Sequence, residues 1–455
     1  MEFLKDIALP QSLEHFHLLV LISILSSIVF VPYICFVFGS SVLSLWLNYK
    51  RRKKENADFM KLAYELIETV LYNKSLMAFL AILPGVSLVL SYAQILQGTS
   101  SIGVSIEVFG FLFLFAGMVL LYIYKYTFQV QEIVGSYKRL LREQNSRVSQ
   151  EPAMVNQEIN TRMLLRSGKY GVFFLLTAII LYAEGITVAS NPSHWDNESI
   201  FSLLFSFDVW LKVIELLLLS IGITGIGMLF FFFVWKNKND HTEEYKLFVR
   251  KFGIRLGMIG LLTLPVFILF NLSAVSDAAL SGMIYSLTGS VIILFFLAAH
   301  FIYGYYKLPQ PGALTVGFTL FLLATTMLVV SDNIALGTAT RSNAVLLASN
   351  HEKSIEELKS RLGVSAVTFT GEDIYNARCF ACHMFDKKKV GPPYLETIPK
   401  YEGNKEKLIA FILNPTKMNP AYPPMPNQGL RPVEADSIAS FIIRKVAVSA
   451  QTSLK

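Results

Sequence analysis

The strongest constraint on this chain is a set of eight long apolar segments separated by polar loops. Each segment is close to or longer than the ~20 residues that a helix needs to cross a lipid bilayer. The composition agrees, since 53% of the 455 residues are hydrophobic, 16% are charged and the mean hydropathy is +0.49. Soluble domains are less apolar, so the sequence predicts a bundle of eight transmembrane helices. They are expected at about 17–47, 75–96, 102–125, 169–189, 209–235, 252–273, 281–305 and 313–334.

The loop charges predict how this bundle is oriented. Lysine and arginine are concentrated in alternate loops, within 50–54, 138–169 and 236–251, whereas the loops at 97–101, 190–208 and 273–280 contain few basic residues. Because basic loops stay in the cytoplasm, the N-terminus is expected outside. An even number of spans then places the C-terminus outside as well. Residues 1–14 have no basic cluster, so the first apolar segment is interpreted as a retained helix and not as a cleaved signal peptide.

A second constraint is the motif Cys379-Phe380-Ala381-Cys382-His383 after the last span. Two cysteines three residues apart, followed directly by histidine, form the covalent attachment pattern of haem c. The alternative is a zinc or redox Cys-x-x-Cys site, but the adjacent histidine and the lack of a second ligand pair favour haem. The third cysteine, Cys35, lies in an apolar run and is expected to be buried. Since haem c is attached in the bacterial periplasm or an equivalent compartment, the motif agrees independently with a C-terminus outside.

The segments around this motif follow a recognisable order. A predicted helix at 371–380 precedes the motif, and Gly391-Pro392-Pro393, a helix at 405–413, Pro424-Met425-Pro426 and a last helix from Pro432 to about Val446 follow it. In this order the region resembles a class I mono-haem cytochrome c over its last ninety or so residues.

The resemblance implies ligands for one covalent haem c. His383 would be the proximal ligand of the iron and Met425 the distal ligand. A carbonyl of the Gly391–Pro393 turn, near Pro392, would accept the free ring N–H of the proximal histidine. Met418 is the alternative distal ligand; Met425 is preferred because it lies just before the last helix, where the family places its methionine.

Four ionisable residues within the outer half of the spans suggest a polar membrane site. They are His17, Glu107, Glu184 and Glu215. Such residues are costly in a bilayer and are usually paired or functional. Glu215 either pairs with Lys212, one helical turn away, or belongs to a functional site. The sequence offers no pair of facing histidines for a haem b, although a haem with a single histidine, or with a histidine and a carboxylate, stays open.

The bundle also resembles subunit I of the cytochrome bd quinol oxidases. The resemblance rests on His15-Phe16-His17 with Phe30-Val31-Pro32, on Ile106-Glu107, and on Ala183-Glu184-Gly185 with Asn191-Pro192. It implies that His17 would bind a haem b and that Glu107 would lie beside it. The chain departs from the family at three places. The third helix has Phe115 in place of a second carboxylate, and the fifth helix lacks a histidine. The quinol loop is reduced to a few residues around Asp277. The family's Gly-Arg-Gln-Pro-Trp signature is also missing.

These observations predict an all-α protein: a membrane bundle over 1–340, a polar helical stalk or linker over 341–364 and a periplasmic cytochrome c domain over 365–455. The chain is predicted to be a multi-pass cytochrome of the bacterial inner membrane that carries single electrons. An electron-carrier subunit of a respiratory complex is favoured over a catalytic subunit. The alternative is a quinol-oxidising subunit with a haem b near His17. A third reading makes the bundle an assembly subunit in which the haem only stabilises or senses.

The expected partners follow from this interpretation. They are the lipid bilayer, other membrane subunits of the complex and a soluble or membrane-bound redox protein, and no nucleic acid is expected. Lys387–Lys389 would form a docking patch for an acidic redox partner, or simply a solvated loop.

Overall fold

The computed structural model describes residues 11–54, 57–143, 151–195, 199–235, 241–361, 369–401 and 403–452. Within these ranges the chain forms sixteen α-helices and no β-strand, which confirms the all-α prediction. The helices before residue 200 are α1 Leu13–Lys54, α2 Ala57–Val70, α3 Lys74–Met77, α4 Leu83–Ile95, α5 Gly103–Glu143 and α6 Glu151–Ala189. The next six are α7 Ile200–Leu204, α8 Phe207–Phe230, α9 Glu243–Ala274, α10 Gly282–Lys307, α11 Pro311–Ala339 and α12 Arg341–Arg361. The last four are α13 Gly371–Ile374, α14 Tyr394–Thr397, α15 Lys405–Leu413 and α16 Pro432–Thr452.

Eight of the described helical segments are long and apolar enough to cross a membrane, which confirms the predicted spans. They are Leu13–Lys50, Lys74–Ile95, Gly103–Val130, Arg162–Ala189, Phe207–Trp235, Glu243–Ala274, Gly282–Lys307 and Pro311–Ala339. Several helices continue beyond the apolar segment that predicted them, because a helix does not have to end where the bilayer ends. The chain is therefore a candidate multi-pass membrane protein. Parts of the basic loops that predicted its orientation, at 144–150 and 236–240, lie outside the described residues.

The described chain forms two compact units. The larger unit contains Val20–Ala339, and the smaller unit contains the described residues up to Leu19 and from Thr340 onward. The segment predicted as a polar stalk forms helix α12 as far as Arg361. Within the smaller unit, Glu352 Oε2 accepts a hydrogen bond from the backbone N–H of Val433 at 2.8 Å, so α12 caps the first turn of α16. The predicted domain boundary at residue 365 lies outside the described residues.

The core of the smaller unit is built where α13 crosses α16. A Cβ at Gly371 would lie 2.5 Å from the carbonyl oxygen of Ser437 and 2.6 Å from Phe441 Cβ, so only glycine lets the two helices approach this closely. The ring of Tyr375 packs on that of Phe441, with centroids 5.8 Å apart. Ala435, Ile438 and Ala439 of α16 are fully buried in the same core. This crossing holds the chain that leads into the Cys-x-x-Cys-His motif.

Candidate functional site

The motif forms a tight turn directly after the crossing. The segment Tyr375–Cys379 is a single π-helical turn, and the carbonyl of Cys379 then accepts hydrogen bonds from the N–H groups of Cys382, at 3.1 Å, and His383, at 2.9 Å. The carbonyl of Cys382 in turn accepts a hydrogen bond from the N–H of Gly391 at 2.9 Å. The turn therefore holds both sulfur-bearing residues and the histidine against one side of the loop at 391–393.

The imidazole of His383 is fixed from two directions. Its Nδ1 lies 3.0 Å from the carbonyl oxygen of Pro392, within the turn predicted to accept the ring N–H. Because a carbonyl only accepts, this hydrogen bond requires the proton on Nδ1 and leaves the lone pair of Nε2 available to a metal. The ring also stacks on Tyr394, with centroids 5.0 Å apart and planes 7° apart. This is the geometry of a ligand oriented before metal binding.

Gly391 provides the space in which this imidazole lies. A Cβ at this position would lie 2.7 Å from both Nδ1 and Nε2 of His383, well inside van der Waals contact. The ring cannot move away without losing the Pro392 hydrogen bond or the stacking on Tyr394. The glycine is therefore required by close approach, since its φ is not among the positive values of the chain.

We expect Gly391→Ala to disturb iron ligation while leaving the fold intact. The added methyl group pushes the imidazole off the Pro392 carbonyl, so the histidine binds more weakly and the redox potential shifts. The measurement is the potential and the absorption spectrum of the full-length protein in detergent. Gly312→Ala is the matched control, because the same methyl group added at Gly312 meets no atom within 4 Å. Equal spectra for wild-type protein and Gly391→Ala would contradict this role of the glycine.

A large cavity opens beside the motif. Its volume is about 640 Å³, within the range of ~300–1,000 Å³ that is typical of cofactor sites. Cys379, Cys382 and His383 line one side of it, and both Met418 and Met425 line it from the loop before α16. Two thiols, one free imidazole nitrogen and a thioether around a largely apolar space are the donor set and the shape that a covalently attached haem requires. The residues present thus fit a haem.

The two methionines differ in their surroundings. The sulfur of Met418 lies 3.6 Å from the hydroxyl of Tyr401 and 3.7 Å from Nζ of Lys400, and its side chain is 60% exposed. Met425 is partly buried. The structure brings both to the cavity, and the sulfur of Met418 already has hydrogen-bond donors.

Two ionisable groups of the cavity wall, the thiol of Cys379 and the hydroxyl of Tyr394, are uncharged. Burial raises the pKa of the Cys379 thiol above its usual value, and a hydrogen bond with Tyr394 opposes this shift without cancelling it. Burial likewise raises the pKa of the Tyr394 hydroxyl, helped by the nearby Cys379. Both groups therefore stay protonated near neutral pH, as suits a site for a flat apolar macrocycle.

Comparison with known proteins agrees with this geometry. Residues 370–444 match the family model described as cytochrome c. The region is 38% identical over 79 residues to cytochrome c-551 of Pseudomonas denitrificans, covering 16% of this chain and 95% of that protein. It is 31% identical over 87 residues to cytochrome c-552 of Hydrogenobacter thermophilus, covering 18% of this chain and 88% of that protein. The chain belongs to the cytochrome c family. No solved structure matches it.

Membership in the family assigns haem c and electron transfer to the cytochrome c domain. The match ends within α16 and does not include the membrane bundle, so the resemblance of the bundle to cytochrome bd oxidases receives no support from it.

Two lysines of the cluster Lys387–Lys389, beside the cytochrome c motif, contact other residues of the domain. Lys389 Nζ donates to the carbonyl oxygen of Phe380 at 2.7 Å, and Lys388 Nζ lies 4.8 Å from the ring centroid of Tyr422. Phe380 belongs to the motif and Tyr422 lines the cavity, so positive charge is held at the rim of the haem site.

The four residues predicted to form a polar membrane site have different surroundings in the structure. His17 is exposed and its ring contacts that of Phe16. Glu107 and Glu184 are buried, and one oxygen of Glu107 and both oxygens of Glu184 lack a hydrogen-bond partner among the described residues. Glu107 packs directly over Gly185, where any side chain would clash with its carboxylate.

Glu215 lies in a charged cluster that the sequence predicted in part. Lys212 Nζ lies 2.5 Å from Glu215 Oε1, as the pairing alternative expects, but it also lies 2.7 Å from both carboxylate oxygens of Asp332. Asn271 Nδ2 donates to Glu215 Oε2 at 2.5 Å. The cluster therefore links α8, α9 and α11. Asp332 is an acidic residue inside the eighth predicted span, and this position was its signal in the sequence.

Proposed function

We propose that this protein is a membrane-anchored c-type cytochrome that carries single electrons at the periplasmic side of the bacterial inner membrane, as a subunit of a respiratory complex. The observation that carries the proposal is the cavity lined by Cys379, Cys382, His383 and Met425, within a domain of the cytochrome c family. The eight apolar helices supply the anchor. The distribution of basic loops supports an outward C-terminus.

The residues of the site have distinct tasks in this function. Cys379 and Cys382 would hold the macrocycle through thioether bonds, and His383 would present Nε2 to the iron. Pro392 and Tyr394 fix the orientation of that imidazole, so little rearrangement accompanies a change of oxidation state. Met425 would supply a thioether ligand, which favours a higher potential than a second histidine would. When bound, the haem supplies one-electron redox chemistry.

The proposed partners follow from charge and from the size of the bundle. The lysines Lys387–Lys389 suit an acidic redox protein, since complementary charges speed docking. A single helix would suffice as an anchor, so eight spans favour additional contacts with other membrane subunits.

Replacing Cys379 and Cys382 together with alanine is expected to abolish covalent haem binding. Both sulfurs are then missing, so the haem no longer stays with the chain on a denaturing gel and the c-type absorption band of the reduced protein disappears. Cys35→Ala is the matched control, because Cys35 is a buried cysteine of the bundle, and it should leave the band unchanged. Haem that remains attached in the double variant would overturn the proposal.

The same preparation separates the electron carrier from the quinol-oxidising alternative. One haem c for each chain and no haem b is the expected composition, measured by the pyridine haemochrome spectra. The exposed position of His17 supports this expectation. A stoichiometric haem b, together with oxidation of quinol, would favour the catalytic alternative. Failure to exchange electrons with any soluble cytochrome would favour the reading in which the haem only stabilises or senses.

A further inference from the structure

The loop that contains Met425 is long, and contacts with the rest of the domain anchor it near both ends. It spans residues 414–431, between α15 and α16. Near its beginning the sulfur of Met418 lies 3.6 Å from the hydroxyl of Tyr401. Near its end Leu430 packs against the buried core of the domain. Met425 lies between these two anchors, so its position depends on what holds the middle of the loop.

The middle of the loop contacts the haem-attachment side of the site through Tyr422. Nζ of Lys388 lies 4.8 Å from the centroid of the Tyr422 ring. A cation within about 6 Å of an aromatic centroid is attracted by the negative face of the ring. Lys388 comes shortly after His383 in the sequence, and Tyr422 comes shortly before Met425. The contact therefore joins the segment beside the predicted proximal ligand to the segment beside the predicted distal ligand.

The chain that follows Lys388 is tied to the turn of the haem motif. The N–H of Val390 donates to the carbonyl oxygen of Cys382 at 3.2 Å. Nζ of Lys389 donates to the carbonyl oxygen of Phe380 at 2.7 Å. Both acceptors belong to the motif, so the ammonium group of Lys388 extends from a base that is fixed relative to the attachment site.

The chain between Tyr422 and Met425 is stiff. It consists of Pro423 and Pro424, whose rings fix φ at about −65° and restrict the residue before each of them. The N–H of Tyr422 also donates to the carbonyl oxygen of Asn419 at 3.3 Å, which closes a turn just before the ring. Because the two prolines have little conformational freedom, a displacement of the tyrosine is passed on to the methionine.

We propose that Lys388 and Tyr422 form a clamp that positions Met425 as the distal ligand of the haem iron. The proposal rests on the function proposed above, in which the sulfur of Met425 binds the iron. Lys388 and Tyr422 are positioning residues, since they act on the ligand through the loop. Without the clamp the sulfur is still a ligand, but the loop opens more often and the sulfur leaves the iron more often.

The rate at which added imidazole replaces the methionine sulfur on the oxidised iron tests the clamp. At saturating imidazole this rate is the rate at which the sulfur leaves, and stopped-flow absorption of the full-length protein in detergent follows it as loss of the sulfur-to-iron band. Lys388→Met and Tyr422→Leu should each raise the rate about two- to five-fold, the factor that corresponds to an exposed contact between a cation and a ring. Lys388→Arg keeps the cation and Tyr422→Phe keeps the ring, so both should retain the wild-type rate.

Lys387→Met is the matched control, because it removes the same charge from a neighbouring exposed position of the same loop. It should leave the rate unchanged. If it accelerates the exchange as much as Lys388→Met does, the effect is one of charge alone and the proposal is overturned.

The double variant Lys388→Met with Tyr422→Leu shows whether the two side chains act through their contact. It should exchange no faster than either single variant, because each substitution alone already removes the interaction. Two effects that multiply would overturn the clamp. A wild-type protein without the sulfur band would contradict Met425 as the ligand, and the clamp with it. A wild-type band together with unchanged rates in both single variants would overturn the clamp alone.

Discussion

Replacing Met425 with alanine is expected to lower the redox potential of the cytochrome c domain by on the order of 100 mV, since the choice of axial ligands spans about 0.8 V in haem proteins. A thioether stabilises the reduced iron more than water or a nitrogen ligand does. The substitution removes the sulfur that lines the cavity on the side of the loop before α16. The potential is measured by spectroelectrochemistry of the full-length protein in detergent, and the sulfur-to-iron absorption should vanish with it.

Met418→Ala is the matched control for this prediction. The same atoms are removed from the same cavity, but the sulfur of Met418 already accepts from Tyr401 at 3.6 Å, and its side chain is mostly exposed. We expect the potential and the sulfur band to stay close to the wild-type values. If the band disappears in Met418→Ala and persists in Met425→Ala, then Met418 is the ligand and the assignment from loop position is wrong.

The general architecture was readable from the sequence because it depends on composition over long windows. A span needs about twenty apolar residues, and that signal does not depend on tertiary contacts. The helix ends were less predictable: α5 continues to Glu143 and α6 begins at Glu151, in segments that are polar and outside the apolar windows. Helix α2, Ala57–Val70, was missed although Leu62, Leu66 and Val70 recur at helical spacing and are buried.

The haem motif was readable for a different reason. Covalent attachment fixes residue types at adjacent positions, so a short pattern carries the chemistry. The supporting contacts were not readable to the same extent. Gly391 and Tyr394 act on the His383 ring through space, across a loop whose path no local pattern specifies. The resemblance to class I cytochromes predicted that a carbonyl near Pro392 accepts the ring N–H of His383, because the family's order of segments includes the loop at 391–393.

The charged cluster of the bundle could be predicted only in part from local sequence spacing. The pair Lys212 and Glu215 follows from helical spacing alone. Asp332 is 120 positions away in sequence from Lys212, and only the packing of α8 against α11 brings the two together. Once Asp332 is included, the lysine is shared between two carboxylates, and its loss has consequences that a simple helical pair would not have.

Lys212→Met is expected to destabilise the bundle by about 3–5 kcal/mol, the usual cost of removing one partner from a buried ion pair. Lys212 and Glu215 are almost fully buried, so the variant leaves Glu215 and Asp332 facing each other with no cation between them. Thermal unfolding in detergent, followed by tryptophan fluorescence, measures the loss. Neutralising both acids in the Lys212→Met background, by Glu215→Gln and Asp332→Asn, should restore most of the stability, because the uncompensated charge is then absent.

Lys246→Met is the matched control, since Lys246 pairs with Glu243 at 2.9 Å with the same three-residue spacing, but Glu243 is 88% exposed. Exposed pairs are worth about 0–1 kcal/mol, so this variant should unfold close to the wild-type temperature. The difference between the stability losses of the two variants measures the effect of burial, because the residue types and the spacing of the two pairs are the same. Equal shifts for Lys212→Met and Lys246→Met would show that the Lys212 cluster is solvated and that α8, α9 and α11 are held together by apolar packing alone.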